Sequence, residues 1–247
     1  MKNILLLASL FLLCASCAVV KEQTLSIQPQ SIQAQIQNAE WSKKWWMPRH
    51  KEKLAIKEQM PFVDLVFLGD SITHAFDDKG KDIWQQYYAP RNALNIGFSG
   101  DRTENVLWRL NNGAVDDIEP KLLVLMIGTN NTGHRQDKPE DIALGIKSIL
   151  LTIEDKLPDT KVLLLGIFPR GSTQDDPLRK INDETNRIIK DYHDGERVHY
   201  LDINHIFLDE NGVLSKSVMQ DLLHPNKDQY KRWAQALEPS IIKLMAR

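Results

Sequence analysis

Short apolar runs alternate with helical patterns along most of the chain. The runs are rich in Val, Ile and Leu, and they cover residues 63–68, 93–96, 122–127, 162–167 and 198–201. A strand with one face in water alternates apolar and polar residues, whereas a parallel strand covered on both faces is almost continuously apolar. The five runs therefore predict five buried parallel strands.

Segments with helical spacing separate these runs. The clearest of them begins at Pro139 and repeats isoleucine every three or four residues, which places these side chains on one face. The predicted helices cover residues 103–110, 139–153, 178–192 and 226–245. Strands that alternate with helices predict a three-layer α/β/α sandwich around a parallel sheet.

Four polar segments carry the candidate chemistry. Gly69-Asp70-Ser71 follows the first predicted strand, residues 95–101 end and follow the second, and residues 128–131 follow the third. The carboxyl ends of parallel strands share one edge of a sheet, so these three segments are expected there together. The fourth segment, residues 221–225, precedes the last helix, and its position at the same edge is an inference.

A serine in such a turn could act as a nucleophile if a histidine lay in reach. The hydroxyl of Ser71 needs a base, and a carboxylate usually orients that base. Three histidines have an acid three residues before them, in the pairs Glu196/His199, Asp202/His205 and Asp221/His224. The first pair straddles a strand start, which turns the two side chains to opposite faces. Pro225 would hold His224 in a rigid loop, and His205 stays as the alternative.

Acyl transfer also needs donors for the oxyanion that forms on the substrate. Gly100 and Asn130 follow neighbouring strands and supply a backbone N–H and a side-chain amide. Each residue also fits a simpler interpretation, because glycine suits a turn and asparagine suits an Asx turn or a helix cap. Their joint occurrence at adjacent strand ends favours the functional interpretation.

Charge and composition exclude one class of partner. The 247 residues carry a formal net charge of -2, and positive and negative residues are mixed along the chain. No basic block is present, which argues against nucleic acid binding. The length suits one α/β domain.

The N-terminus has the pattern of an export signal. Residues 1–16 begin with Lys2, continue through an apolar stretch and end in small residues, as in a secretory signal peptide. Cys17 follows Ala15-Ser16 as in a bacterial lipoprotein box, which predicts lipid attachment at Cys17 and a membrane-anchored protein of the periplasm or cell surface. Cys14 stands where leucine is usual, and simple secretion after cleavage at the same bond is the alternative.

The remaining chain divides into a tether and a domain. Residues 17–40 are rich in Gln and Ser and predict a tether, and residues 41–247 predict the folded domain. Trp41, Trp45 and Trp46 open this domain. Their clustering favours a cap packed over the edge of the core, with a sugar-binding platform as the alternative.

Together the four polar segments resemble those of the SGNH/GDSL hydrolase superfamily, in their order and in their positions after strands. The likeness covers residues 62–243 and is strongest to the branch of the platelet-activating-factor acetylhydrolase catalytic subunits. The matching segments are residues 67–73, 95–110, 128–131, 169–171, 177–179 and 221–224. The resemblance implies a five-stranded parallel sheet of flavodoxin-like order.

This resemblance also implies a role for each site residue. Ser71 would be the nucleophile, His224 the general base and then acid, and Asp221 the group that orients His224. The N–H groups of Ser71 and Gly100 and the side chain of Asn130 would form the oxyanion hole. The implied chemistry needs no metal and no cofactor.

The substrate implied by the resemblance is a small acyl ester, and export favours an acetylated sugar over a platelet-activating factor. Ser99, where close relatives often have glycine, would narrow the acyl pocket. A lysophospholipase or thioesterase of the same superfamily and a non-catalytic carbohydrate-binding lipoprotein are the alternatives. Arg102 and Arg109 are predicted to be helix-surface or supporting groups rather than substrate clamps.

Overall fold

The structure, a computed structural model, describes residues 28–246. Five parallel strands form one sheet at the centre of this part of the chain. The strands are β1 Leu65–Gly69, β2 Ala93–Gly97, β3 Leu122–Met126, β4 Lys161–Leu165 and β5 Val198–Leu201. Their order is β2-β1-β3-β4-β5, the flavodoxin-like order. The predicted sheet is confirmed.

Helices cover both faces of this sheet. They are α1 Trp46–Gln59, α2 Ser71–His74, α3 Lys81–Tyr87, α4 Thr103–Asn111, α5 Thr129–Arg135, α6 Pro139–Lys156, α7 Pro177–Ile189 and α8 Lys227–Met245. The four predicted helices match α4, α6, α7 and α8 to within one turn at each end. The pattern did not predict α2, α3 or α5.

Two apolar layers hold the sandwich together. Val66 and Leu68 of β1 pack with residues of α4 and α6 on one face of the sheet. Leu65 and Phe67 alternate with them and pack with residues of α3 and α8 on the other face. Because both faces of β1 are buried, an unbroken apolar run was the correct signal for this strand.

The segment before α1 packs against the domain instead of extending away from it. Ser31 is 1% exposed. Its hydroxyl donates to the carbonyl of Asp141 at 2.6 Å, and its own carbonyl accepts the hydroxyl of Thr103 at 2.8 Å. Further along the segment, the side-chain amide of Gln37 donates to the carbonyl of Gly100 at 3.0 Å. These bonds fix the segment beside α4 and α6.

The predicted tether at residues 17–40 therefore needs correction over residues 30–40, because polar side chains there bond to the domain. Residues 17–27 lie outside the described residues, as do the predicted signal peptide at residues 1–16 and Cys17. In the described range, no helix combines the length and apolar character needed to cross a membrane.

Candidate active site

A tight turn after β1 presents Ser71 at the edge of the sheet. The carboxylate of Asp70 caps α2, since it accepts the N–H of Ile72 at 3.0 Å. Gly69 leaves no room for a side chain, because a Cβ there would lie 2.3 Å from Oγ1 of Thr73. Ser71 is the first residue of α2 and stays partly exposed.

His224 lies within hydrogen-bond distance of this serine. Ser71 Oγ is 2.9 Å from His224 Nε2, and His224 Nδ1 is 2.6 Å from Asp221 Oδ2. A carboxylate can only accept, so the proton on the imidazole belongs on Nδ1. Nε2 is then free to accept the hydroxyl proton of Ser71. The sequence-predicted Ser71, His224 and Asp221 are thus brought together.

The loop before α8 holds Asp221 in a fixed orientation. Its Oδ1 accepts the N–H of Leu223 at 3.1 Å and of His224 at 2.8 Å, which leaves Oδ2 for the imidazole. Leu222, which lies between Asp221 and Leu223, has a positive φ of 57°. This backbone conformation costs energy in residues other than glycine. Burial acts to raise the pKa of Asp221, but hydrogen bonds from His224 outweigh it and hold the pKa below its usual value. The carboxylate therefore stays charged.

The other two acid–histidine pairs do not form a comparable arrangement. Asp202 accepts the N–H of Asn204 at 2.8 Å, and His205 is exposed. His199 Nε2 lies 3.2 Å from the backbone carbonyl of Glu196 rather than from its carboxylate. The structure brings His224 to Ser71, so geometry agrees with the choice that the resemblance made.

The predicted oxyanion donors lie at the ends of neighbouring strands. Gly69 of β1 is paired with Gly97 of β2 and Met126 of β3, so the loops that follow these strands lie side by side. In those loops, Gly100 has a φ of 74°. The amide of Asn130 donates one hydrogen to a backbone carbonyl, that of Asp101, at 2.9 Å, and its second hydrogen has no acceptor among the described residues.

The backbone donors at this edge are also available. Among residues 28–246, the N–H groups of Ser71 and Gly100 donate to no acceptor of the protein. An unpaired N–H at a site is costly unless water or a substrate accepts it. Two backbone donors and one amide donor therefore suit an oxygen that becomes negative during reaction.

A buried arginine donates hydrogen bonds to the carboxyl ends of two strands. Arg109 is fully buried, and it donates to the carbonyls of Ile96 at 3.0 Å and Gly69 at 3.4 Å. Its charge is paired with Asp101 at 2.8 Å, and Trp46 donates to the same carboxylate at 2.6 Å. Burial raises the pKa of Asp101 to about 6, against the opposing charge of Arg109. Arg109 was predicted to be either a helix-surface group or a supporting group, and the structure shows that it is a supporting group.

His74 fixes the loop that carries Gly100. Its Nδ1 lies 2.9 Å from the hydroxyl of Ser99 and accepts the N–H of Ser99 at 3.2 Å. Burial, together with the charge of Arg49, lowers the pKa of His74 to about 4. His74 is thus a neutral acceptor near neutral pH. Within residues 28–246, no three His, Cys, Asp or Glu side chains are grouped as metal ligands would be.

The three tryptophans take two different positions. Trp46 is 1% exposed and packs against Phe98 and Trp108, with ring centroids 5.7 Å and 5.4 Å away, as the cap interpretation expects. Trp41 is 51% exposed and contacts Gly100. The cap interpretation holds for Trp46, whereas about half of the Trp41 side chain is exposed to solvent.

Sequence reasoning gave no role to Arg170. Its guanidinium donates to the carbonyl of Thr129 at 2.7 Å and is partly exposed. Burial lowers the pKa of Arg170, while Asp176, Asp70 and Asp221 raise it through their charge. Arg170 therefore adds positive charge beside the carboxylates of the site. Its place directly after the fourth strand run was the available signal.

Asp70 gives the fold a pH dependence. Burial raises the pKa of its carboxyl from 3.8 to about 7. The folded chain therefore keeps this proton to higher pH than the unfolded chain, and stability falls as pH rises from about 4 to about 7. Between pH 5 and pH 8, the parent protein should lose about 3 kcal/mol of unfolding free energy that Asp70→Asn does not lose.

Urea unfolding at both pH values measures this difference from the parent protein. The substitution itself changes the unfolding free energy by an amount that is the same at both pH values, because asparagine does not titrate. This amount therefore cancels when the two pH values are compared. Asp159→Asn, at an exposed position, serves as the matched control and should show no such difference. An Asp70→Asn curve parallel to that of the parent protein across this range would contradict the raised pKa.

Comparison with known proteins agrees with this geometry. Residues 67–232 match the GDSL-like lipase/acylhydrolase family. Over 219 residues the chain is 33% identical to human platelet-activating factor acetylhydrolase IB subunit alpha1, covering 88% of this chain and 91% of the relative. The rat alpha2 subunit is 35% identical over 202 residues, covering 81% and 85%.

Solved structures share the fold at lower identity. A GDSL-like lipase from Bacteroides thetaiotaomicron superposes with a TM-score of 0.64 at 20% identity, covering 79% of this chain and 97% of that one. An acetylxylan esterase from Geobacillus stearothermophilus gives 0.58 at 17% identity, covering 75% and 94%. The predicted resemblance is confirmed: the chain belongs to the GDSL-like lipase/acylhydrolase family and is a GDSL-type esterase.

Proposed function

We propose that this esterase removes acetyl groups from carbohydrate through an acyl-enzyme intermediate. The observation that carries the proposal is the 2.9 Å distance from Ser71 Oγ to His224 Nε2, with Asp221 2.6 Å behind the imidazole. This is the arrangement that a serine hydroxyl needs in order to become a nucleophile.

In the first half of the reaction the serine takes the acyl group. Ser71 Oγ attacks the ester carbonyl carbon while its proton passes to Nε2 of His224. The carbonyl π electrons move to the oxygen, which accepts hydrogen bonds from Gly100 N–H and from the other predicted donors. When the intermediate collapses, the bond to the sugar oxygen breaks and that oxygen takes the proton from His224.

In the second half, water releases the acid. A water molecule loses a proton to His224 Nε2 and attacks the acyl carbon. The second intermediate collapses, acetate leaves, and Ser71 Oγ recovers its proton from His224. Asp221 keeps its charge in both halves, because hydrogen bonds hold its pKa low, and it stabilises the imidazolium each time that cation forms.

Different relatives support the proposed acyl group and the proposed alcohol half of the substrate. The curated relatives are named for acetyl hydrolysis, and one solved structure of the same fold is an acetylxylan esterase. Acetyl is therefore the favoured acyl group, and a saccharide is the favoured alcohol half.

A substrate panel tests this proposal. The purified protein is assayed with acetylated xylo-oligosaccharides, with their butyryl and octanoyl counterparts, with a lysophospholipid and with an acetyl thioester. We expect kcat/KM to fall at least about tenfold from acetyl to octanoyl. Faster turnover of the lysophospholipid or thioester would contradict the carbohydrate proposal, with Ser71→Ala as the blank.

The proposal includes export. The pattern at residues 1–16 and Cys17 supports a lipoprotein, in which the anchor keeps the enzyme at the membrane. We expect labelled palmitate to be incorporated in the parent protein and lost in Cys17→Ser. Equal labelling of both chains would contradict lipid attachment at this cysteine.

A further inference from the structure

Two indole rings lie beside the predicted oxyanion hole, and the mechanism makes no use of them. Trp41 is 51% exposed and Trp45 is half-buried. Their centroids are 6.1 Å apart with an interplanar angle of 26°, so they form one stacked pair. Trp45 Nε1 donates to the carbonyl of Trp41 at 3.1 Å, which ties the two residues together.

The segment that carries these rings is anchored to the loop of Gly100. Gln37 donates to the carbonyl of Gly100 at 3.0 Å. Ser42, beside Trp41, is fully buried and donates to the carbonyl of Ala39 at 2.7 Å. An exposed apolar ring on a segment that is fixed by the buried side chains of Gln37 and Ser42 is positioned before any ligand arrives, and such preorganisation favours binding.

The ring of Trp41 contacts the loop that carries one of the predicted oxyanion donors. A Cβ built on Gly100 would lie 2.0 Å from Cη2 of Trp41, so the ring edge touches the α-carbon of this glycine. Gly100 is also the predicted donor to the substrate oxygen. A substrate whose carbonyl reaches Gly100 therefore places either its acyl half or its alcohol half within reach of the Trp41 ring.

The surroundings of this pair are polar. The ring of His134 lies 6.4 Å from that of Trp41, edge to face. Arg102 lies 3.3 Å from His134 Nδ1 and is paired with Glu104 at 2.6 Å. On the other side, the ring of His74 lies 5.8 Å from that of Trp45. Flat exposed indoles with donors and acceptors at their rim match a molecule with an apolar face and polar edges.

A pyranose ring has this chemistry. Its axial C–H groups form an apolar face that packs on an indole, and its hydroxyls extend sideways to polar groups. A long acyl chain would instead need an enclosed apolar channel, whereas the polar imidazoles of His134 and His74 lie beside these rings. The tryptophans also lie outside residues 67–232, the part of the chain that matches the family.

We infer that Trp41 and Trp45 form an aromatic subsite that stacks on the pyranose ring bearing the ester. The N-terminal segment is thereby a specificity element of the enzyme. The inference rests on the proposed function, because it assigns the alcohol half of the same substrate.

The experiment compares two acetates that differ in the ring. Xylopyranose tetraacetate presents a pyranose, and glycerol triacetate presents acetyl esters on an acyclic polyol. The readout is the ratio of kcat/KM for the two. We expect Trp41→Ala to lower this ratio about tenfold through KM, and Trp41→Phe, which keeps a ring, to retain most of it. A ratio is insensitive to partial unfolding, since both substrates lose activity together.

Phe62→Ala is the matched control, since Phe62 is 73% exposed and precedes the opposite end of β1. It should leave the ratio unchanged. An unchanged ratio in Trp41→Ala, with turnover that Ser71→Ala abolishes, would overturn the subsite alone. A selective loss on glycerol tributyrate relative to the triacetate would assign the rings to the acyl chain and also overturn it. Turnover that survives Ser71→Ala would contradict the proposed function itself.

Discussion

Ser71→Ala is expected to lower kcat for an acetate ester by roughly 10⁵-fold, while the fold stays intact. The substitution removes the oxygen that lies 2.9 Å from His224 Nε2. Without that oxygen no acyl-enzyme can form, and the donors at Gly100 and Asn130 can only assist direct attack by water. The measurement is a continuous assay with a chromogenic acetate.

Two further observations separate a chemical loss from a structural one. Ser148→Ala is the matched control, because among residues 28–246 the hydroxyl of Ser148 bonds only to a carbonyl of its own helix, that of Leu144, at 3.0 Å. Ser148→Ala should keep the full activity of the parent protein. Its melting temperature should equal that of Ser71→Ala. A fluorophosphonate probe should label the parent protein at Ser71 and leave Ser71→Ala unlabelled. Undiminished turnover in Ser71→Ala would rule out the serine mechanism.

The strands were predictable because burial on both faces imposes a simple pattern. In β1 the side chains alternate between the two apolar layers, so every position is apolar. The helix α5 was not predictable in this way, since Thr129–Arg135 contains glycine, two threonines and two asparagines, which are weak helix formers. Bonds to other elements hold it: Asn131 accepts the N–H of Thr103 at 3.0 Å, and Thr132 donates to Asn182 at 2.7 Å.

Topology also explains how much of the site could be predicted. Three segments had to lie at one edge because parallel strands end there. The choice of His224 over His205 depended on which loop folds back to Ser71, and local spacing contains no such information. The difference is visible only in three dimensions, where Asp202 caps Asn204 while the carboxylate in the His224 loop reaches the imidazole.

Polar and charged residues misled the prediction where they have internal partners. Residues 30–40 look like a solvated tether in composition, yet Ser31 and Gln37 are buried and bonded. Arg109 could equally have been a surface group of an amphipathic helix, and it instead carries its charge to Asp101 beneath the site. Composition reports the cost of burying such groups but not the partners that offset it.

His224→Gln is expected to lower kcat by roughly 10⁴-fold, because glutamine cannot take the proton of the Ser71 hydroxyl at neutral pH. His205→Gln, the same change in the other acid–histidine loop, should leave kcat unchanged, because His205 is exposed and its neighbouring acid caps Asn204. The measurement is kcat for the chromogenic acetate in both variants and in Ser71→Ala combined with His224→Gln.

The combined variant decides whether the two residues act as one unit. If His224 serves only to activate Ser71, the double variant should be no slower than Ser71→Ala. The reason is that the base makes no contribution once the nucleophile is absent. Losses that multiply would mean that His224 works independently of the serine and would contradict the acyl-enzyme route. A large loss in His205→Gln would move the base to the other loop and leave the 2.9 Å contact of Ser71 with His224 without a catalytic role.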